Sequence, residues 1–235
     1  MMYLSQNDIE IIGESVLQDY AQYIVSNIQI PVDIDSFARN YLGVQIQYRK
    51  LSDKGTILGL TTYKDVYLEL PFAEGNIVLS LPENTILLEE RLLKPQNRRR
   101  WRFTLAHECA HQILVRIEEK QTGNSFRKSF ASGKIYPCRE LKTAEDWCEW
   151  QANSLGAVLL MPRKELFELL KHESELFNIV KHGNYFDSQD YKKIKKLADI
   201  FCVSIKAMEI RIRELAPTTS KLQSEYADSL KVCNY

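Results

Sequence analysis

Long apolar runs are missing from this chain. The longest, "LGAVLLM" at 155–161, falls far short of the ~20 residues that a membrane-spanning helix requires. Neither sign of charge is in surplus. Lys plus Arg and Asp plus Glu stand at 31 each, so no overall field draws the molecule to nucleic acid or anionic lipid. Paired cysteines are absent too: Cys109, Cys138, Cys148, Cys202 and Cys233 are odd in number and form no CxxC. The opening "MMYLSQNDIEIIGES" lacks the basic start and apolar stretch of an export signal. The expectation is therefore a cytoplasmic protein with reduced thiols, a Cys138–Cys148 bridge being the alternative. Internal repeats and low-complexity segments are lacking as well. Histidine is scarce, with 4 in 235 residues, so two at a chemically meaningful spacing carry weight.

What is present is an ordinary globular composition, 45% apolar and 26% charged, in a length that can bury a sizeable core. Residues 8–28 set Ile9, Ile12, Val16, Leu17, Tyr20, Ile24 and Ile28 on one helical stripe, which Pro31 ends. Asp33 or Asp35 can cap a short second helix closed by Gly43. "VQIQYRKL", "TILGLTTY", "VYLEL" and "NIVLSL" follow, divided by Gly, Asp and Pro. They predict three or four short, mostly antiparallel strands between 44 and 81. Helix-forming sequence dominates the remainder, giving an α+β chain rather than an alternating βαβ one. The least regular stretch is 121–142, "QTGNSFRKSFASGKIYPCRELK", read as a loop or insertion.

The stretch "RFTLAHECAHQIL" (102–114) lies in a predicted helix from about Asn97 to Glu119. Residues four apart in a helix share a face, so His107 and His111 can aim imidazole nitrogens at one cation, with Glu108 one step around. Two neutral imidazoles and an adjacent carboxylate are what Zn²⁺-dependent hydrolysis uses. Phe103, Leu105, Ala106, Cys109, Ala110, Ile113 and Leu114 make the rest of this helix apolar nearly all round, hence buried. A buried Glu108 with no task would carry a desolvation penalty of several kcal/mol.

A catalytic zinc site usually takes a third protein ligand and keeps one position open. "EDWCEWQANSLGAVLLMP" (145–162) predicts a second buried helix. It carries Glu149, 38 residues beyond His111, and one turn later Asn153, which can hydrogen-bond to a ligating histidine. Ala152 and Gly156 would let the two helices approach closely. Glu145, one turn earlier, competes with Glu149 but reads more simply as a solvated carboxylate. Cys148 is a soft donor pointing about 100° away from Glu149, and Cys109 reads as a core thiol. Of the basic run, Arg102 can support the site from outside the ligand set, while Arg98, Arg99 and Arg100 read as a solvated face. His172 and His182 read as surface residues.

Together, "RFTLAHECAHQIL" and "EWQANSLGAVLLMP" resemble the paired signature of the ImmA/IrrE-type zinc metallopeptidases. There an Arg-Phe-Thr-x-Ala-HExxH helix precedes a Glu-x-x-Ala-Asn helix ending in Leu-Leu-Met-Pro. The strong match covers about 30 residues, and a weaker one, including "IPVDIDSFARNYLGVQI", covers about 31 to 165. Gln151 stands where family members often have a second acidic residue, and Ala110 where they often have Gly. The resemblance implies a zincin-like fold. It also implies a zinc endopeptidase with His107, His111 and Glu149 on the metal and Glu108 as general base. By the same resemblance the substrate is a transcriptional repressor, of helix-turn-helix type and encoded nearby. The organisation expected is an N-terminal helix (1–30), a metallopeptidase domain (31–165), a helical, helix-turn-helix-like region (166–217) and a loosely ordered tail (218–235). The substrate would lie along a sheet edge at 66–70 or 76–81, and Tyr136 is a candidate for assisting the metal at the oxyanion.

A rival reading comes from "YKKIKKLADIFCVSIKAMEIRIREL" (191–215). Two helices joined near Cys202 and capped by Ser204 would bury Ile194, Leu197, Ala198, Phe201, Val203, Ala207, Ile210 and Leu215. Lys192, Lys193, Lys195, Lys196, Arg211 and Arg213 could then touch phosphates, as in a DNA-binding regulator whose metal site is secondary. Glu209 and Glu214 interrupt that basic face, which favours a helical pair serving only to pack.

Overall fold

The stripe that begins at Ile9 forms α1, Gln6–Tyr23, in a computed structural model that describes residues 2–122, 143–173, 180–182, 185–186, 188–215 and 219–221. The expected loop residues 123–142, with Tyr136 and Cys138, lie outside the described residues, as does Cys233. A reciprocal cap starts α1: the Ser5 hydroxyl accepts from the Asp8 amide, and the Asp8 carboxylate accepts from the Ser5 amide. Ile9, Leu17 and Tyr20 are buried. The helix stops at Tyr23, short of the predicted 28, because Val25 turns into left-handed backbone at φ 52°.

Asp33, not Asp35, caps α2 (Ile34–Ser36), accepting from the Ser36 amide at 3.0 Å. The helix widens into a π turn, Phe37–Tyr41, and Gly43 leaves it at φ 67°. Four strands lie between 44 and 81, within the expected number: β1 Gln45–Arg49, β2 Gly59–Thr62, β3 Val66–Leu70 and β4 Ile77–Leu81; a fifth, β5 Thr85–Glu89, lies beyond that range. They make two sheets rather than one. β3 and β4 form an antiparallel ribbon, while β5 lies between β1 and β2, parallel to the first and antiparallel to the second. "TILLE" is buried at every position, so it shows none of the alternation that marks a half-exposed strand.

The sequence then turns helical. Short 3₁₀ turns at Glu90–Leu93 and Pro95–Asn97 lead into α3, Arg98–Thr122, which carries the histidine pair. A second reciprocal cap, between Thr143 and Asp146, starts α4, Ala144–Leu160. The two helices approach closely at Gly156. A Cβ there would sit 3.1 Å from the His107 amide nitrogen and 3.2 Å from the Ala106 carbonyl carbon. Backbone cannot yield as a flexible side chain can. Gly156→Ala is expected to cost about 1–3 kcal/mol, read as a lower urea midpoint with an unchanged slope. On its other side α4 packs on α1, where a Cβ at Gly13 would collide with Val158.

Met1–Pro162 forms one compact unit and Arg163–Tyr235 another. The second contains α5 (Arg163–Glu173), β6 (Val180–His182), β7 (Tyr185–Phe186), α6 (Ser188–Ile200), α7 (Ile205–Leu215) and β8 (Thr219–Lys221). β8 belongs to the segment expected to be loosely ordered, yet it pairs in parallel with β6. The α6–α7 turn passes through Cys202 at φ 53°, and the Ser204 hydroxyl caps α7 by accepting from the Ala207 amide. Ile194, Leu197, Ala198, Phe201, Val203, Met208 and Ile212 are buried between these helices' apolar faces, whereas Ala207, Ile210 and Leu215 are only half-buried. Among the described residues, no helix is long and apolar enough to cross a membrane.

Candidate metal centre

One turn of α3 separates His107 from His111, and their rings meet edge to face with centroids 4.6 Å apart. Their Nε2 atoms lie 3.0 Å from one another. From α4, Glu149 brings one carboxylate oxygen to 3.4 Å from His107 Nε2 and the other to 3.2 Å from His111 Nε2. All three side chains are buried, and one ligand atom from each lies within 4.8 Å of the others. Two imidazole lone pairs and a carboxylate turned toward one point need a positive charge there, and this group could hold a metal ion. Burial alone would raise the Glu149 carboxyl, but the two imidazoles beside it outweigh that and hold the group below its ordinary range.

Glu108 differs. It is fully buried, and neither carboxylate oxygen has a hydrogen-bond partner among the described residues. Burial first, and the Glu149 charge second, push it well above the usual carboxylate range. The carboxylate reaches toward β2, where a Cβ on Gly59 would fall 2.5 Å from Oε1. The strand brought against Glu108 is therefore β2; the edge expected to hold a substrate, 66–70 or 76–81, falls on β3 or β4. Gln112 fixes this arrangement: its amide nitrogen donates to Thr61 Oγ1 at 2.6 Å and to the Thr62 carbonyl at 2.9 Å. Gly59 and Gln112 went unnoticed in the sequence. The available signal was a glycine inside a strand pattern, which marks close approach by another group.

The remaining candidates fall as follows. Asn153 is half-buried on α4, one turn after Glu149. Arg102 is buried and donates to the Val32 carbonyl at 2.8 Å, tying α3 to the segment before α2. Glu145 is exposed, as are Arg98 and Arg100, and Arg99 is half-buried. Cys148 is buried; Cys109 is fully buried, and burial raises its thiol well above the ordinary range, as suits an inert core residue. Gln151 is buried and donates to the Met2 carbonyl at 3.0 Å, while Glu118 accepts from the Met2 amide at 3.1 Å. The side chains of His172 and His182 lie outside the described residues.

In the second unit Arg211, proposed for phosphate contact, is fully buried and lies 4.0 Å from Glu214, so it cannot reach a nucleic-acid backbone. Arg213 packs over the Phe186 ring at 5.0 Å. Lys192, Lys195 and Lys196 are exposed, and Lys193 pairs with Asp190. Compared with models of known protein families the chain matches none, and no curated protein matches it.

Proposed function

We propose that this chain is a zinc-dependent endopeptidase of the ImmA/IrrE type, with a zincin-like catalytic unit. One observation carries the reading: His107, His111 and Glu149 converge, buried, from two helices. Zinc is the metal favoured by that donor set. Tetrahedral bonds of about 2.0–2.1 Å separate donors by about 3.3 Å, and the three nitrogen and oxygen separations here run from 3.0 to 3.4 Å. When bound, the ion supplies Lewis acidity toward a peptide carbonyl and a water activated near pH 7.

The protein's own groups do the rest. Glu108 takes a proton from the attacking water and delivers it to the leaving amine. The apolar surroundings of α3 exclude other water, and Asn153 supports a histidine ligand from α4. β2 is the strand beside Glu108, and β5 is its only strand partner among the described residues, but all four of its residues are buried, so it presents no open edge. The substrate is placed instead along the more exposed ribbon of β3 and β4, as an added strand at 66–70 or 76–81.

The substrate class proposed is a helix-turn-helix transcriptional repressor encoded nearby. The test uses purified full-length protein, assayed for metal and then incubated with that repressor. About one zinc per chain and cleavage that a chelator stops and added zinc restores are expected. A preparation that takes up no zinc, or cleavage indifferent to the chelator, would exclude the reading.

A further inference from the structure

We propose that Gly59 is a positioning residue for Glu108: by carrying no side chain it opens the volume in β2 that the Glu108 carboxylate fills, and so sets where that carboxylate points. The proposal rests on the peptidase reading above. A Cβ at Gly59 would lie 2.5 Å from Glu108 Oε1, 3.0 Å from its Cδ and 2.9 Å from Thr104 Cγ2. Real Cβ atoms do not sit that close to a heavy atom, so something must give.

Backbone conformation does not account for this glycine. Among the described residues, the glycines with left-handed backbone are Gly43, Gly55 and Gly75, and Gly59 is not one of them. Its place inside a strand, where glycine is normally unfavourable, therefore answers to space. Nor can the strand easily withdraw. β5 pairs with it throughout, Gln112 holds Thr61 and Thr62 to α3, and the Thr62 hydroxyl donates to the Pro82 carbonyl at 2.8 Å. Of the two side chains that a Cβ would meet, the carboxylate is the more movable. Thr104 is tied through its hydroxyl to the Arg100 carbonyl at 3.0 Å, and its methyl, 2.9 Å away, need give by only a few tenths of an ångström. The carboxylate is the far end of a flexible side chain, and no hydrogen bond among the described residues anchors it. A methyl group at position 59 would swing it aside while the fold and the three converging ligands stay in place.

The test is Gly59→Ala in the full-length, zinc-loaded protein, alone and combined with Glu108→Asp, whose shorter side chain withdraws the carboxylate from the methyl. Gly59→Ala is expected to lower kcat about 10- to 100-fold, as misplacement of a reacting group by about 1 Å does, with KM within about twofold. Zinc content should stay at the wild-type level, and the visible spectrum of the cobalt-substituted protein should shift. Added to Glu108→Asp, it should change neither rate nor spectrum further, because the two substitutions act on one contact. Wild-type kcat and cobalt spectrum in Gly59→Ala would overturn the proposal, and so would an undiminished extra loss in the Glu108→Asp background. If Gly59→Ala does not fold, the double variant should; its failure would mean that position 59 serves packing alone. A wild-type protein that neither binds zinc nor cleaves peptide defeats the peptidase reading instead. The crystal structure of Gly59→Ala then decides: a displaced Glu108 carboxylate beside an unmoved β2 supports the positioning role, and a displaced strand refutes it.

Discussion

Glu108→Gln should keep its zinc and lose at least about 10²-fold in kcat, the usual contribution of a positioned general base. Glutamine has nearly the same volume and shape, so the space beside Gly59 stays filled and α3 keeps its packing. What disappears is the ability to accept a proton. A fully buried carboxylate without a hydrogen-bond partner among the described residues is a cost to the fold. The neutral amide should therefore melt at or above the wild-type temperature. Lower activity with equal or higher stability separates a chemical role from a structural one. Undiminished hydrolysis in this variant would remove Glu108 from the mechanism.

Glu149→Ala should act on the metal rather than on the proton transfer. It takes away the carboxylate that lies 3.2 Å from His111 Nε2 and 3.4 Å from His107 Nε2, leaving two imidazoles one turn apart. Loss of a partner merely outside the ligand set weakens metal binding about 10- to 100-fold, so loss of a ligand should exceed about 10²-fold. The variant should release zinc on dialysis, and added zinc should not raise its melting temperature, as it is expected to for the wild type. Full zinc occupancy after dialysis would show that another group completes the site. Glu145, exposed at the start of α4, is poorly placed to do so.

The site was more legible than the sheet that carries its far wall. His107, His111 and Glu149 could be read because helical periodicity is local: four residues bring two rings together, and a small-residue helix at 152–156 announces a close crossing. The helix caps at Asp33, Thr143 and Ser204 are equally local, although only the first and last were anticipated. β5 escaped because a strand buried on both faces has no alternating pattern, and its parallel pairing with β1 joins residues 40 apart, as at Gln45 and Thr85. Gly59 escaped for a related reason. Its meaning depends on a carboxylate 49 positions later, which only the folded chain brings beside it. Arg211 misled in the opposite sense: in sequence it joins a basic run, but the α6–α7 packing buries it completely.

Gly156, Gly59 and Gln112 form a frame around the histidine helix. Gly156 admits α4 and with it Glu149; Gln112 ties β2 to the same helix; Gly59 gives Glu108 its space. Each acts on a side chain next to it, so substitutions should separate in their readouts: stability at Gly156, metal at Glu149, kcat at Gly59 and Glu108.

X-ray absorption at the zinc edge of the loaded protein tests the central claim most directly. Two imidazole nitrogens and a carboxylate oxygen at about 2.0–2.2 Å are predicted, with no sulfur shell near 2.3 Å, and the carboxylate contribution should vanish in Glu149→Ala. A sulfur shell, or a spectrum lacking imidazole, would mean that His107, His111 and Glu149 do not share the ion.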